Sequence, residues 1–300
     1  MKRFDMHIHA AGVPADPEKL LARMDEAGIW GGCIFSNRST YYNGARGSSF
    51  EQRLQELADW TKGYEDRLFP VLRFHPFEDG AEEYIHKAVE SGVMAFKIIC
   101  EDFYVHEDRS MKIIELIAAL GKPIIFHTGI LWGGSPNSKY SKPLEWEALL
   151  DIPNLRFSLA HCSWPWHDEC IAMYGKFLHS LTLNPNRAEM FIDITPGTPK
   201  VYREDMLKKL YFCGYDVPDN IMFGTDSTAH TYNPKWTKQW LDLDNEIFDK
   251  LGVDDECRQK LYHDNILRFL GIKEKDFTHV SPACDGFVSW EPGVSRDACR

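Results

Sequence analysis

The chain has 300 residues, 44% of them hydrophobic, which suits one large domain or two small ones with a sizeable core. Its formal net charge of -11 disfavours nucleic acid as a partner, because a groove that follows phosphates needs clustered Lys and Arg. No apolar run approaches a membrane span, and residues 1–3 lead into a strand instead of a signal peptide, so we expect a cytoplasmic protein without a membrane partner.

The eight cysteines are scattered along the chain and form no Cys-x-x-Cys pair. Disulfides and a cysteine-based zinc site are therefore not expected, and free thiols in a reducing compartment are the better interpretation. Several cysteines, such as Cys33, lie in apolar runs that are typical of a core.

Short apolar runs alternate with longer amphipathic stretches along most of the chain. Eight runs are predicted as strands: residues 4–9, 32–36, 68–74, 93–99, 123–127, 156–160, 191–195 and 221–224. Helical patterns between them include residues 49–62, 81–91, 109–120 and 200–211. Eight strands, each followed by a crossover long enough for a helix, predict an α/β fold of the (β/α)8 TIM-barrel type over residues 1–271.

Two further features of the sequence bear on the TIM-barrel prediction. A doubly wound sheet would need a Gly-rich phosphate loop after the first strand, and none is present. Residues 272–300 lack periodicity and are predicted as an irregular C-terminal tail. The tail either wraps the barrel or meets another subunit, so the sequence leaves a homo-oligomer open.

The first predicted strand carries two histidines, His7 and His9, at positions i and i+2. Residues with this spacing on a strand project to the same face, so both imidazoles can close on one metal ion, with Asp5 beneath them. Phe4, Met6 and Ile8 are expected on the opposite face, against helices. A His-x-His pair alone arises easily by chance, and further ligands are needed to support a metal site.

Polar residues recur at the C-terminal ends of the predicted strands, where such barrels build their active sites. They are His7 and His9 on strand one, Arg73 and His75 on strand three, Lys97 on strand four, His127 on strand five, His161 on strand six and Asp226 after strand eight. Alternation along the strands predicts an inward aim, because Leu159, for example, shares a face with His161. A single such residue is more often a surface or core residue than a ligand, but six or more at strand ends make that interpretation poor.

Four ordered motifs carry a family resemblance. They are Asp5-Met6-His7-Ile8-His9, Phe126-His127-Thr128-Gly129, Leu159-Ala160-His161-Cys162 and Gly224-Thr225-Asp226. With these motifs the chain resembles the amidohydrolase superfamily, and within it the amidohydrolase-2 branch, a family of TIM-barrel metal-dependent hydrolases. That branch includes aminocarboxymuconate semialdehyde decarboxylase and pyrone dicarboxylate lactonase.

The resemblance implies one divalent metal held by His7, His9, His127 and Asp226. Zinc suits three imidazoles and a carboxylate, and manganese is the alternative. The resemblance also implies that His161 is a catalytic base or electrophile beside the metal. Asp226 would be catalytic as well, because it can both bind the metal and transfer a proton.

Lys97 has more than one interpretation under this resemblance. In binuclear relatives a lysine on strand four is carbamylated and bridges two metals, whereas the amidohydrolase-2 branch often has a lysine here without a second metal. We favour binding of a small anionic substrate by Lys97 together with Arg73, His75 and Arg38. The competing structural interpretation pairs Arg73 and Lys97 with Glu101, Asp102 or Asp193.

Two reactions fit these residues. The leading hypothesis is hydrolysis of an ester, lactone or amide bond in a carboxylated substrate by a metal-activated water. The alternative is metal-dependent, non-oxidative decarboxylation of a small unsaturated or aromatic carboxylate. Both reactions need the same metal ligands, so the sequence does not separate them. A metal-holding binding protein without turnover is a third hypothesis, and the presence of His161 argues against it.

Overall fold

The computed structural model describes residues 1–42 and 47–273, which form a barrel of parallel strands surrounded by helices. The C-terminal tail predicted for residues 272–300 therefore lies, apart from its first two residues, outside the described part of the chain. Within the described ranges, no helix combines the length and apolarity that crossing a membrane requires.

The sheet winds once around the barrel axis. Its strands are β1 (Phe4–His9), β2 (Gly31–Phe35), β3 (Leu68–Arg73), β4 (Ala95–Ile98), β5 (Ile124–Phe126), β6 (Arg156–Leu159), β7 (Glu189–Asp193), β8 (Ile221–Met222) and β9 (Ser227–Thr228). They pair in parallel in the order β8-β7-β6-β5-β4-β3-β2-β1-β9. The short strands β8 and β9 are two halves of the eighth barrel strand, and across the seam the N–H of Met6 donates to the C=O of Phe223 at 2.9 Å. The TIM-barrel prediction is confirmed.

Helices connect the strands on the outside. They are α1 (Pro17–Ala27), α2 (Phe50–Thr61), α3 (Ala81–Glu90), α4 (Asp108–Ala119), α5 (His167–Leu183), α6 (Arg203–Phe212), α7 (Pro234–Leu251), α8 (Asp255–Gln259) and α9 (Asn265–Leu270). Local sequence fixes their ends: Ser49 and Gln52 form a capping box before α2, and Gly28 ends α1 with φ 76°. The crossover from β5 to β6 differs, because it consists of two 3-10 helices, Ser138–Ser141 and Pro143–Leu149.

A compact apolar cluster fills the barrel and shows which side chains point inward. Its strand residues are Phe4, Met6, Cys33, Phe35, Phe69, Val71, Ala95, Ile125, Phe191 and Met222. Helix α9 covers the end at which the strands begin, since the ring of Phe269 lies 5.1 Å from that of Phe191. A larger cluster packs the outer faces of the strands against the helices. The open end of the barrel is therefore the C-terminal one, where the predicted site lies.

Strand β1 departs from the alternation expected of it. Its register with β2 shifts between Asp5 and Ile8, which marks a β-bulge. Phe4 and Met6 consequently belong to the interior cluster and only Ile8 packs against the helices, so the expectation for Phe4 and Met6 is wrong. His7 still reaches the interior, where its ring lies 4.6 Å from that of Phe35.

Asp5 also differs from its expected place beneath the two histidines. Its buried carboxylate accepts hydrogen bonds from Thr225 Oγ1 at 2.6 Å and from Tyr232 Oη at 3.0 Å. It also accepts from the backbone N–H groups of His7 and Thr225. Asp5 therefore ties the first strand to the turn between β8 and β9, and burial raises its pKa to about 7.

Two turns at strand ends replace regular alternation. Leu159 packs in the outer cluster, so it does not share a face with His161. The backbone of His161, Cys162 and Ser163 is left-handed, with φ values of 64°, 43° and 55°, and this turn returns His161 to the barrel mouth. Asp226 is also left-handed, with φ 57°. Backbone of this kind is uncommon for residues other than glycine and concentrates at functional sites.

Candidate metal centre

Three side chains from the first and last barrel strands converge at the open end of the barrel. His9 Nε2 lies 3.0 Å from Asp226 Oδ1, and His7 Nε2 lies 3.5 Å from the same oxygen. One ligand atom from each residue falls within 4.8 Å of the other two. Ligands held tetrahedrally by zinc at about 2.1 Å stand about 3.4 Å apart, so this spacing fits a single metal ion.

The protonation states of these groups also suit a metal. Burial, reinforced by the charge of Lys97, lowers the pKa of His7 to about 3, and burial lowers the pKa of His9 as well. Both imidazoles are therefore neutral at pH 7, as metal ligands must be. Burial opposes ionisation of Asp226, but the hydrogen bond with His9 and the electrostatic effect of His7, His161 and His9 together outweigh it, so the carboxyl pKa lies well below its usual range.

Asp193, at the end of β7, orients His7 from behind. Its buried Oδ2 lies 2.8 Å from His7 Nδ1, and its Oδ1 accepts a hydrogen bond from the N–H of Thr195 at 2.6 Å. An Nδ1–H that donates to Asp193 leaves the Nε2 lone pair of His7 directed at Asp226 and His9. The sequence offers Asp193 only as an ion-pair partner for the cations, because a lone aspartate at a strand end carries no motif.

A glycine permits this close packing. A Cβ atom on Gly224 would lie 2.3 Å from Thr195 Oγ1 and 2.9 Å from His7 Cβ, so no larger residue fits between β7 and β1. Gly224 opens the Gly-Thr-Asp motif that ends in Asp226. The motif therefore has a steric reason as well as a chemical one.

His127 and His161 line the adjacent wall. Their ring centroids are 5.0 Å apart, and the ring of His161 lies 5.3 Å from that of His7. His127 Nε2 lies 3.4 Å from the C=O of Ile130, and among the described residues His127 is not in the group of three converging ligand atoms. Its metal ligation stays a prediction. Burial lowers the pKa of His127 well below its usual value, so it too is a neutral imidazole.

His161 faces the site with one ring nitrogen engaged. Its Nδ1 lies 3.4 Å from the C=O of Thr195, and its ring packs under Gly197, where a Cβ atom would come within 2.8 Å of His161 Cβ. The other nitrogen, Nε2, is then the one available to a substrate or water. The three converging side chains differ in exposure: His7 is 1% exposed, His9 22% and Asp226 40%. Asp226 is therefore the most solvent-accessible of the three.

Two buried cations stand beside these groups. Lys97 Nζ and Arg73 Nε are buried and have no hydrogen-bond partner among the described residues. Burial lowers the pKa of Lys97 to about 7 and that of Arg73 to about 10. Buried polar groups are normally paired, so two buried cationic nitrogens without a hydrogen-bond partner in the described part of the chain are an unusual feature of this region.

The remaining two residues predicted to bind substrate differ in their surroundings. His75 Nε2 lies 3.3 Å from Asp102 Oδ1, and its Nδ1 accepts from the N–H of Phe77 at 3.2 Å. Both nitrogens of His75 are thus engaged away from the three converging ligands. Arg38 lies close enough for its charge to lower the pKa of Arg73. Arg38, Arg73 and Lys97 together are called the basic wall.

The fold matches solved structures over nearly the whole chain. An uncharacterized TIM-barrel protein from Bordetella bronchiseptica is 18% identical with a TM-score of 0.64, covering 90% of this chain and 99% of its own. A probable 2-pyrone-4,6-dicarboxylic acid hydrolase from Acinetobacter baumannii is 12% identical with a TM-score of 0.58, over 91% and 100%. A 2,6-dihydroxybenzoate decarboxylase from Rhizobium is 14% identical with a TM-score of 0.58, over 90% and 99%.

Sequence comparison gives a sharper result. No curated protein matches the chain. The Amidohydro_2 family, described as amidohydrolase, matches residues 4–272, which include every residue of the site described above. Solved proteins of this fold include both hydrolases and decarboxylases. The chain belongs to the Amidohydro_2 family of amidohydrolases.

Proposed function

We propose that the chain is a metal-dependent hydrolase that cleaves an ester, lactone or amide bond of a small carboxylated substrate. The observation that carries the proposal is the convergence of two neutral imidazoles and an ionised carboxylate within 4.8 Å. This donor set fits zinc, with manganese as the alternative. Membership of the family supports an enzyme, and the basic wall supports an anionic substrate.

His7, His9 and Asp226 would hold the ion. His127 would be the fourth ligand after its ring turns Nε2 away from the C=O of Ile130. A divalent ion there would polarise the substrate carbonyl and lower the pKa of a bound water.

The chain's own residues would manage charge and protons. Arg73 and Lys97 would bind the substrate carboxylate, because both cations are buried and Arg73 Nε and Lys97 Nζ have no hydrogen-bond partner among the described residues. His161, through Nε2, would accept the proton of the attacking water and return it to the leaving group. Asp226, the most exposed ligand, would hold that water in line.

Decarboxylation is the second candidate, and the same unpartnered cations favour it. Lys97 and Arg73 would orient the carboxylate that leaves, and His161 would protonate the carbon that loses it. The likeness to a 2,6-dihydroxybenzoate decarboxylase concerns the fold, so it does not decide between the reactions.

The test compares chelator-treated, zinc-reloaded and manganese-reloaded protein on lactones, esters, amides and aromatic carboxylates. We expect turnover of one of the first three classes only after reloading, with close to one metal ion per chain. The variant His161→Asn should keep its metal while kcat falls about 10²–10⁴-fold. Activity that survives chelation would contradict the proposal, and CO₂ release from aromatic carboxylates alone would favour the second candidate.

A further inference from the structure

A tyrosine hydroxyl stands in the hydrogen-bond ladder between β3 and β4 at the barrel mouth. The direct ladder reaches the N–H of Phe74, which donates to the C=O of Lys97 at 2.8 Å. In regular parallel pairing the next hydrogen bond would run from the N–H of Ile99 to the C=O of Phe74. Here the N–H of Ile99 donates to Tyr42 Oη at 3.0 Å, and Tyr42 Oη donates to the C=O of Phe74 at 2.6 Å. An inserted oxygen atom therefore bridges the two strand ends.

Tyr42 comes from the loop after β2 and is held firmly in place. It is 3% exposed, and its ring meets that of His75 edge-on, with the centroids 4.8 Å apart. Its N–H donates to the C=O of Ser39 at 3.2 Å. Burial raises the pKa of the phenol well above its usual value, so the hydroxyl keeps the proton that it donates.

The bridge lies next to the two buried cations of the basic wall. Arg73 immediately precedes Phe74, and Arg73 and Lys97 are direct partners in the register of β3 and β4. Neighbouring strands lie about 5 Å apart, so two like charges stand side by side. Burial, and then the charge of Arg73, lower the pKa of Lys97. An oxygen atom inserted between the strand ends sets a wider gap than a direct hydrogen bond would, which reduces this repulsion.

The backbone of Arg73 is fixed from its other side as well. Its N–H donates to Ser36 Oγ at 3.0 Å, and its C=O accepts from the buried Arg53 Nη1 at 2.5 Å. The guanidinium carbon of Arg73 lies 6.0 Å from the centroid of the Tyr42 ring. With β3 held in this way, the separation of Arg73 and Lys97 depends on the contact between β3 and β4, which ends at the Tyr42 hydroxyl.

We propose that Tyr42 is a positioning residue for substrate binding, whose hydroxyl sets the separation of Arg73 and Lys97 so that both cations reach one substrate carboxylate. The inference rests on the proposed function for the anionic substrate. Tyr42 itself would touch no reacting atom, because two backbone groups engage its hydroxyl. Loss of the hydroxyl should therefore weaken anion binding while both cations remain.

The test is a double-mutant cycle on the zinc-loaded protein, with trifluoroacetate as the carboxylate probe and fluorine NMR as the measure of its Kd. Tyr42→Phe should weaken binding about 10-fold, because one charge-assisted hydrogen bond to the probe is misaligned. In an Arg73→Met background the same change should weaken binding less than about 2-fold, since only one cation is left to position. A crystal structure of Tyr42→Phe should show Arg73 and Lys97 closer together than in the wild type.

Tyr174→Phe is the matched control. Tyr174 is 2% exposed, and its hydroxyl donates to the C=O of Asp216 at 2.6 Å, between α5 and the segment that precedes β8. This change also removes a buried hydrogen bond from a phenol to a carbonyl and should lower Tm. It should leave the Kd of the probe unchanged, because Tyr174 lies near the end at which the strands begin.

Each result decides the inference. A loss of probe affinity in Tyr42→Phe that depends on Arg73 would support it. An unchanged Kd in Tyr42→Phe, an equal loss with and without Arg73, an equal loss in Tyr174→Phe, or no binding of the probe to the wild type would overturn it. The proposed function fails separately: absent turnover with the expected cycle would contradict hydrolysis and leave the role of Tyr42 in place.

Discussion

Lys97 is a buried ammonium group in a chain of net charge -11, yet its nitrogen has no hydrogen-bond partner among the described residues. The carboxylates of Asp193 and Asp226 raise its pKa, but burial outweighs them and brings the pKa to about 7. A buried cation without a hydrogen-bond partner reduces the stability of the metal-free fold. Such a loss is expected where a functional group waits for its ligand.

Replacing Lys97 should therefore stabilise the metal-free protein in a pH-dependent way. The folded pKa of about 7 lies below the unfolded value of about 10.5, so unfolding takes up a proton between these limits. The penalty from Lys97 is full below pH 7 and shrinks as pH rises toward 10.5. Lys97→Met should raise Tm most at pH 7 and progressively less at pH 8, 9 and 10, in melts with a chelator present. A gain that does not change with pH would contradict this.

At the residue scale, the sequence predicts the converging side chains better than the residues that orient them. His7, His9 and Asp226 belong to ordered motifs, and the structure brings them together. Asp193 could not be assigned, because its role depends on a 2.8 Å contact with a residue 186 positions away. Substrate binding by His75 stays a prediction, and both of its ring nitrogens have local partners in Asp102 and Phe77.

At the scale of elements, the strands were predictable and their irregular ends were not. Alternation assumes a regular strand, but β1 contains a bulge, β6 ends in a left-handed turn and the eighth strand is split. Each irregularity carries a residue of the site: His7 lies at the bulge, His161 in the turn and Asp226 in the split. Such local departures arise from tertiary packing, for example at Gly224, and periodicity does not report them.

The end of β7 is the element that orients two histidines at once. Asp193 contacts His7 Nδ1, and the C=O of Thr195 contacts His161 Nδ1. Asp193→Asn removes the charge that fixes the tautomer of His7, so zinc affinity should fall about 10- to 100-fold. Competition with a chromophoric chelator measures this affinity directly.

A carboxylate at the other end of the same strand provides the control for that experiment. Glu189, the first residue of β7, pairs with Arg268 of α9 at 2.5 Å. Glu189→Gln should lower Tm slightly, since it breaks an ion pair, but leave zinc affinity unchanged. Equal affinity losses in both variants would show that Asp193 acts through general stability alone.

At the scale of the whole molecule, the centre bridges the seam of the barrel. His7 and His9 belong to β1, whereas Asp226 lies between β8 and β9. The seam is already linked by the pairing of β1 with β9 and by the hydrogen bond from Thr225 to Asp5. A bound ion would add a further strong link. The stability of the closed barrel should therefore depend on metal concentration.

Zinc should raise the Tm of the chelator-treated protein. At free zinc about 100 times its Kd, binding stabilises the native state by about 2.7 kcal/mol, which shifts Tm by roughly 4–5 °C in a chain of this length. Asp226→Ala should lose this shift, because one of three converging ligands is gone. Asp205→Ala, on the exposed side of α6, should keep it. A similar shift in the Asp226 variant would place the ion elsewhere.

The separation of His7 and His9 from Asp226 along the chain would also determine when a newly made chain could acquire a metal. The two histidines precede the carboxylate by more than 200 residues, so they leave the ribosome well before it. During synthesis the exposed His-x-His pair can hold an ion only weakly, since two imidazoles without the carboxylate make an incomplete site. Firm metal capture would thus be a late step that requires a finished barrel, and partial translation products should remain metal-poor.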